Sequence, residues 1–260
     1  MAEAAGLYFE EHGPSDAPPL LLSSGLGGSA SYWAPNIPAL AGHFRVIAYD
    51  HRGTGRSDRA LPQQVSLADL GRDMLALIEA LGLPQAHIVG HAIGGMAALE
   101  AARAAPARIG RIGVINGWAS LDPQTERCFD VRLTLLRQAG PAAYLEAQPL
   151  FLFPPQWLSD HDAEVRAESA LHLAHWPGDE AVEKRIAAAC AFDCSDWAGE
   201  VTAPVLLACA ADDLLVPAAN SARLANLLPN TQVAARLWGG HALNITDPAI
   251  MNAVATFLRS

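Results

Sequence analysis

Short unbroken apolar runs alternate along the chain with longer stretches in which apolar residues recur every three or four positions. "PPLLLSS" (Pro18–Ser24), "FRVIAYD" (Phe44–Asp50), "AHIVG" (Ala86–Gly90), "IGVIN" (Ile112–Asn116), "APVLLACA" (Ala203–Ala210) and "QVAARLW" (Gln232–Trp238) read as strands. Most are continuous rather than alternating, which predicts burial on both faces of a sheet. Between the second and third, Ser66-x-x-Asp69 has the form of a capping box. Leu67, Leu70, Met74, Leu77, Ile78 and Leu81 then fall on one helical face, and Gly82 and Pro84 mark its stop. Strand–helix alternation of this kind predicts an α/β fold with a mostly parallel central sheet and helices on both faces.

The alternation breaks between about residues 119 and 199. "RLTLLRQAG", "EAQPLFLFPPQWL", "AESALHLAHW" and "EKRIAAACAF" follow one another with helical character and no strand pattern. Pro154-Pro155 and Pro177-Gly178 punctuate them. The segment reads as a helical cap inserted over the strand ends, where open α/β sheets bind ligands. Residues 1–118 and 200–260 would then form one core and 119–199 the insertion.

A chain of 260 residues suits one such domain. Its net charge of −10 argues against nucleic acid or an anionic membrane as partner, since both require clustered basic residues. No run approaches the ~18 apolar residues of a membrane span. The N-terminal stretch lacks the basic and apolar regions of a signal peptide, so a cytoplasmic protein is expected. The four cysteines form no C-x-x-C pair; Cys190 and Cys194 read as helix-spaced, reduced core thiols. His172 and His175 have no third ligand nearby in sequence, so no metal site and no cofactor are expected. The expected partner is a small-molecule substrate, with monomer and homodimer both open.

Four local signals carry the chemistry. "SSGLGGS" (Ser23–Ser29) follows a strand, and such a turn lets backbone N–H groups face a ligand oxygen. "YDHRGTGRSD" (Tyr49–Asp58) follows the next strand, and its Arg52 reads as a tie between loops. "VGHAIGG" (Val89–Gly95) joins a strand to the helix "MAALEAARA", and glycines permit a sharp turn there. The N–H of Ile93 would point at whatever sits over Ala92. Last, "AADDLLVP" and "WGGHALNITDP" each follow a late strand, suiting a carboxylate and the histidine it orients. Asp213 and His241 are the candidates, with Asp212 as the alternative carboxylate. Ser24, Asn116, Trp118 and Asn244 could line a small pocket, although each also has a plain packing or capping role.

Together these signals resemble the α/β-hydrolase family over almost the whole chain. That family orders its triad as nucleophile, acid, histidine, and Ala92, Asp213 and His241 hold those places. The resemblance implies the α/β-hydrolase fold, oxyanion donors at the N–H groups of Leu26 and Ile93, and an elbow whose serine is here an alanine. Ser24 also stands where a histidine often precedes the first glycine of the loop. "INGWASLDPQTERCFDVRLTLLRQAG", "LHLAHW", "ADDLLVP" and "GGHALNITDP" are similar to the branch of the family in the Rut pathway of pyrimidine ring degradation. That branch characteristically carries G-H-A-x-G, which makes Ala92 native rather than a replaced serine. It implies hydrolysis of carbamate or aminoacrylate, without deciding between them.

Loss of the nucleophile from a serine hydrolase lowers kcat by roughly 10⁶, with roughly 10³–10⁴ over water remaining. A stable ester or amide would not be turned over usefully at that level, whereas a substrate that already decays in water would. The rival readings are a serine-independent enzyme of another class, a displaced nucleophile at Ser23, Ser24 or Ser29, a silent homologue that only binds, and a serine hydrolase altered at position 92.

Overall fold

The continuous apolar runs assemble into one eight-stranded sheet in the computed structural model, which describes residues 2–260. The strands are β1 (Ala2–Ala4), β2 (Leu7–His12), β3 (Pro19–Ser23), β4 (Arg45–Tyr49), β5 (Ala86–His91), β6 (Ile109–Ile115), β7 (Val205–Ala210) and β8 (Thr231–Arg236). They lie in the order β1-β2-β4-β3-β5-β6-β7-β8. β2 runs antiparallel to β1 and β4, and every other pairing is parallel. Ser23 pairs with Gly90, and His91 with Ile115. The carboxyl ends of β3, β5 and β6 therefore lie side by side.

The helices are α1 (Ile37–Ala41), α2 (Leu67–Ala80), α3 (Ile93–Ala104), α4 (Pro123–Leu152), α5 (Pro155–Asp160), α6 (Asp162–Ala174), α7 (Asp179–Ala191), α8 (Ala218–Leu227), α9 (Leu243–Thr246) and α10 (Ile250–Arg259). Leu21, Ile47, Ile88, Val114 and Leu207 pack on one face of the sheet against α2, α3 and α8. Leu20, Leu22, Val46, Val89 and Leu206 pack on the other against α1 and α10. This doubly covered sheet explains why the central runs are apolar without alternation. The predicted box starts α2: Ser66 Oγ accepts from the Asp69 N–H at 3.2 Å, and Asp69 Oδ2 accepts from the Ser66 N–H at 2.8 Å.

The edges depart from the expectation. β1 and β2 had no counterpart in the sequence pattern, because "LYFEEH" buries only Leu7 and Phe9 deeply and is not a continuous run. β8 is not buried on both faces; as an edge strand it alternates between exposed and half-buried positions. Helices α4 to α7 lie between β6 and β7, and an isolated bridge joins Ser120 to Asp193 where that segment begins and ends. α4 is broken at Gly140 (φ 83°, ψ −179°), immediately before Pro141. Cys190 lies in the last turn of α7 while Cys194 lies beyond the helix, so these two free thiols do not share a helical face. Among the described residues no helix is long and apolar enough to cross a membrane, and no cluster of side chains suits a metal ion.

Candidate active site

β5 enters α3 through Ala92, whose backbone sits at φ 48°, ψ −119°. The Ala92 N–H donates to Ile115 O at 2.9 Å, and its carbonyl accepts from the N–H groups of Gly95 and Met96 at 2.9 and 3.1 Å. The turn is thus fastened on both sides. A Cβ at Gly94 would stand 2.3 Å from Ser23 O and 2.5 Å from Ser24 O, so only glycine lets α3 start this close to β3. An L-residue at positive φ stores about 1–3 kcal/mol of strain. Ile93 is the first residue of α3, and its N–H has no acceptor within the helix.

His241 and Asp213 come together from the turns after β8 and β7. His241 Nδ1 donates to Asp213 Oδ2 at 2.9 Å, with both side chains almost fully buried. Asp213 Oδ1 accepts from the N–H groups of Leu215 and Val216, each at 2.8 Å. The carboxylate is therefore fixed by three donors and holds the histidine in one tautomer, which leaves Nε2 for proton transfer. Asp212 does other work: its Oδ1 accepts from the Gly240 N–H at 2.9 Å and closes the turn before His241.

The backbone of His241 is gripped as firmly as its ring. Its carbonyl accepts from His91 Nε2 at 2.8 Å and from Asn116 Nδ2 at 2.5 Å. Asn116 is fully buried at φ 54° and also donates to Gly240 O at 3.2 Å. Through these bonds it braces the histidine turn from behind. His91 stands beside Ala92 with its ring centroid 4.7 Å from that of His241. Burial, and next the nearby charge of His241, lower its pKa to about 3, so the ring is neutral with its proton on Nε2. Asn244 exchanges two bonds with Asn36 and accepts from Tyr32 Oη, a structural tie. Trp118 is buried edge-on to Phe192, with centroids 6.5 Å apart.

The glycine-rich loop lies against the elbow. A Cβ at Gly25 would stand 2.7 Å from His91 Nδ1 and 3.7 Å from the Ala92 Cβ. Arg185 of α7 reaches across to this loop, donating from Nε to Leu26 O at 2.8 Å and from Nη2 to Gly25 O at 3.3 Å. A trans peptide points its carbonyl and N–H in opposite directions, so the Leu26 N–H faces away from the guanidinium. A Cβ at Gly28 (φ 70°) would meet Arg185 Nη2 at 2.9 Å, which is the space this side chain needs.

Nη2 of Arg185 also donates to His51 Nδ1 at 2.8 Å. His51 must then carry its proton on Nε2, which donates to Ser23 Oγ at 2.9 Å. A ring that presents a proton to Ser23 cannot remove one from it. Ser24 Oγ is buried without any hydrogen-bond partner, and Ser29 Oγ caps the short turn at Ser31. None of the three serines is paired with a base. Arg52 binds Asp73, Asp58 and Ala5 O, tying neighbouring loops as its place in the sequence suggested.

Sequence reasoning passed over Arg185 and Arg132 of α4. The signal was there: Val182, Arg185, Ile186 and Ala189 share one buried helical face, as do Cys128, Phe129, Arg132 and Leu136. An arginine in an apolar stripe is a buried charge in waiting.

A nucleophile elbow after β5, a carboxylate after β7 and a histidine after β8 define an α/β-hydrolase. The sequence profile of the alpha/beta hydrolase fold matches residues 18–248. The "Putative carbamate hydrolase RutD" of Caulobacter sp. (strain K31) is 47% identical over 256 residues, covering 97% of this chain and 96% of the relative. The Agrobacterium fabrum protein of the same name is 45% identical and covers 95% of each. A hydrolase from Pseudomonas aeruginosa PA01 is 28% identical with a TM-score of 0.85, covering 98% of this chain and 94% of its own. The enol-lactonase from Burkholderia xenovorans LB400 has a TM-score of 0.88 at 25% identity, over 100% and 99% of the two chains. The chain belongs to the RutD branch of the α/β-hydrolase family and is a hydrolase.

Proposed function

We propose that this enzyme hydrolyses a small, labile C–N compound, carbamate or 3-aminoacrylate, in the Rut pathway of pyrimidine nitrogen release, and does so without a serine nucleophile. The observation that carries the reading is a fully wired His241–Asp213 pair at 2.9 Å beside an elbow that holds an alanine. The RutD relatives, named for carbamate hydrolysis, support the substrate class.

Neither substrate requires covalent catalysis. For carbamate, His241 in its imidazolium form gives a proton to nitrogen; the C–N bond breaks with its electron pair leaving on nitrogen, and ammonia and CO₂ separate. For 3-aminoacrylate, the proton goes to C2 and leaves an iminium at C3. Water adds there, with neutral His241 taking its proton, and ammonia then departs to leave 3-oxopropanoate. Asp213 stabilises the imidazolium in both cases, and the N–H groups of Leu26 and Ile93 hold the carboxylate of 3-aminoacrylate.

Stopped-flow decay of freshly generated carbamate and 3-aminoacrylate, with wild-type and His241→Ala protein, tests the proposal. Acceleration of at least one substrate, lost in the variant, is expected. Equal decay with and without enzyme for both substrates overturns it.

A further inference from the structure

The carbonyls of the glycine-rich loop are engaged while two of its amides are bare. Gly25 O accepts from the Gly28 N–H at 3.0 Å and from Arg185 Nη2 at 3.3 Å, and Leu26 O accepts from Arg185 Nε at 2.8 Å. Gly28 O accepts from the His51 N–H at 2.7 Å and from Thr54 Oγ1 at 3.0 Å. Each carbonyl shares a peptide with the N–H of the next residue. One guanidinium therefore sets the two planes that carry the Leu26 and Gly27 N–H groups, and both N–H groups point away from it. Among the described residues neither N–H meets an acceptor. Leu26 is half-buried and Gly27 exposed, with nothing within 4 Å of where a Gly27 Cβ would stand.

Arg185 brings an uncancelled charge to this place. Its side chain is buried, yet its three acceptors, two carbonyls and His51 Nδ1, are all neutral. A buried cation without a counter-charge is unfavourable, and this one is nevertheless kept. Burial lowers its pKa to about 10, which leaves it cationic near neutral pH. Burial, and then Arg185 itself, keep His51 neutral, so its Nδ1 accepts while its proton is committed to Ser23. The guanidinium is thus fixed from behind by a ring that does not repel it. In a low-dielectric interior its field is weakly screened and runs through the two peptides it touches. A cation on the carbonyl end of a peptide draws electron density from the nitrogen end and makes that N–H a stronger donor.

We propose that Arg185 is a positioning residue that acts through the backbone: from α7 it fixes and strengthens the Leu26 and Gly27 amides toward an anion on their far side. Arg185 itself stays behind the loop and does not touch the substrate. The proposal rests on the reading above, in which the Leu26 N–H holds the carboxylate of 3-aminoacrylate. It adds Gly27 as a second donor and traces the strength of both to a side chain 159 residues from Leu26. Successive N–H groups turned the same way form the concave arrangement with which backbone binds anions. The inserted helices, and not the sheet alone, then decide how tightly this loop holds an anion.

Propionate, an unreactive small carboxylate, is the probe, read through backbone amide resonances. In wild-type protein it should shift the Leu26 and Gly27 N–H protons downfield, together with that of Ile93. Arg185→Gln keeps a donor and removes the charge. It should lose most of the Leu26 and Gly27 shifts, spare Ile93, and raise the propionate Kd by about tenfold, the scale of one charge-assisted bond. Arg185→Lys keeps the charge and should retain at least half of the shifts. Leu26 and Gly27 shifts that survive Arg185→Gln overturn the proposal. A loss that Ile93 shares, or that lysine does not mitigate, also overturns it, because either marks a loop merely loosened. If the variants fail to fold, the wild-type protein decides: propionate should move the Arg185 side-chain ¹⁵N and Gly25 carbonyl ¹³C signals along with the Leu26 amide, and a silent Arg185 overturns it. Binding is read without turnover. A protein that gives these shifts but accelerates neither substrate loses the reaction and keeps the role of Arg185; one that accelerates a substrate without them loses that role alone.

Discussion

Two turns meet at the carboxyl ends of the strands and retain different things. At the elbow, Ala92 keeps the strained backbone that presents a nucleophile but has no side chain to present. At the opposite turn, His241 keeps both its side-chain partner and two donors on its own carbonyl. The first turn preserves geometry and has lost chemistry; the second preserves both. A site that decays after losing its purpose would be expected to loosen at both turns. Under the proposed function the reaction sits at His241, and the elbow serves to aim amides and to hold His91 beneath the histidine turn.

The sharpest way to break this contrast is His241→Ala, expected to lower kcat/KM for the preferred substrate by about 10²–10⁴, the usual contribution of a positioned acid–base group. Decay kinetics at saturating enzyme check it; a loss below threefold would move the chemistry elsewhere. Asn116→Ala removes one of the two donors to the His241 carbonyl and the bond to Gly240 O, and should lower kcat by about tenfold, with about 1–3 kcal/mol of stability lost from buried carbonyls left short of a donor. Chemical denaturation and the same assay separate the two effects.

Acid should expose the cost of the buried neutral rings. His91, lowered to about 3, and His51, lowered well below its ordinary value by burial and then Arg185, stay unprotonated in the fold while the unfolded chain takes up protons below about 6.5. Their contribution is present above pH 6.5 and is lost progressively below it, at about 1.4 kcal/mol per unit for a group that stays neutral in the fold, for His91 down to about pH 3. Urea unfolding at pH 7 and pH 5 should show the drop, and His91→Gln should make it shallower. The smallest effect is at the elbow: Ala92→Gly relieves positive φ and should raise stability by about 1 kcal/mol without changing kcat more than twofold. A lower melting temperature would show that the methyl group packs better than the backbone strains.

Much of this architecture was legible in the chain because sheet interiors write themselves as apolar runs and helix starts as caps; "FRVIAYD" and Ser66-x-x-Asp69 are examples. The first two strands were not, since β1 is a three-residue edge strand and β2 buries only Leu7 and Phe9 deeply, so neither writes a continuous apolar run; β8 was read as a strand, but its exposure at the other edge was not. The elbow and the candidate pair Asp213–His241 stood out through order along the chain, and the coordinates bring them together. For Asn116 the chain left two readings open, because a buried amide that clamps another turn looks, in sequence, the same as one that lines a pocket. Arg185 was missed for a different reason: its partners are carbonyls of Gly25 and Leu26, some 160 residues away, and no local pattern announces them.

The bridge between Ser120 and Asp193 has a consequence for how such enzymes diversify. Everything from α4 to α7 leaves the sheet and returns to it at one stitch, so this stretch can be exchanged in descent without altering strand order. Yet Arg185 travels with it and lands on the loop after β3. Replacing the insert would therefore replace the electrical surroundings of the glycine-rich loop in the same event, and changes on the two sides of the stitch would be inherited as a cassette.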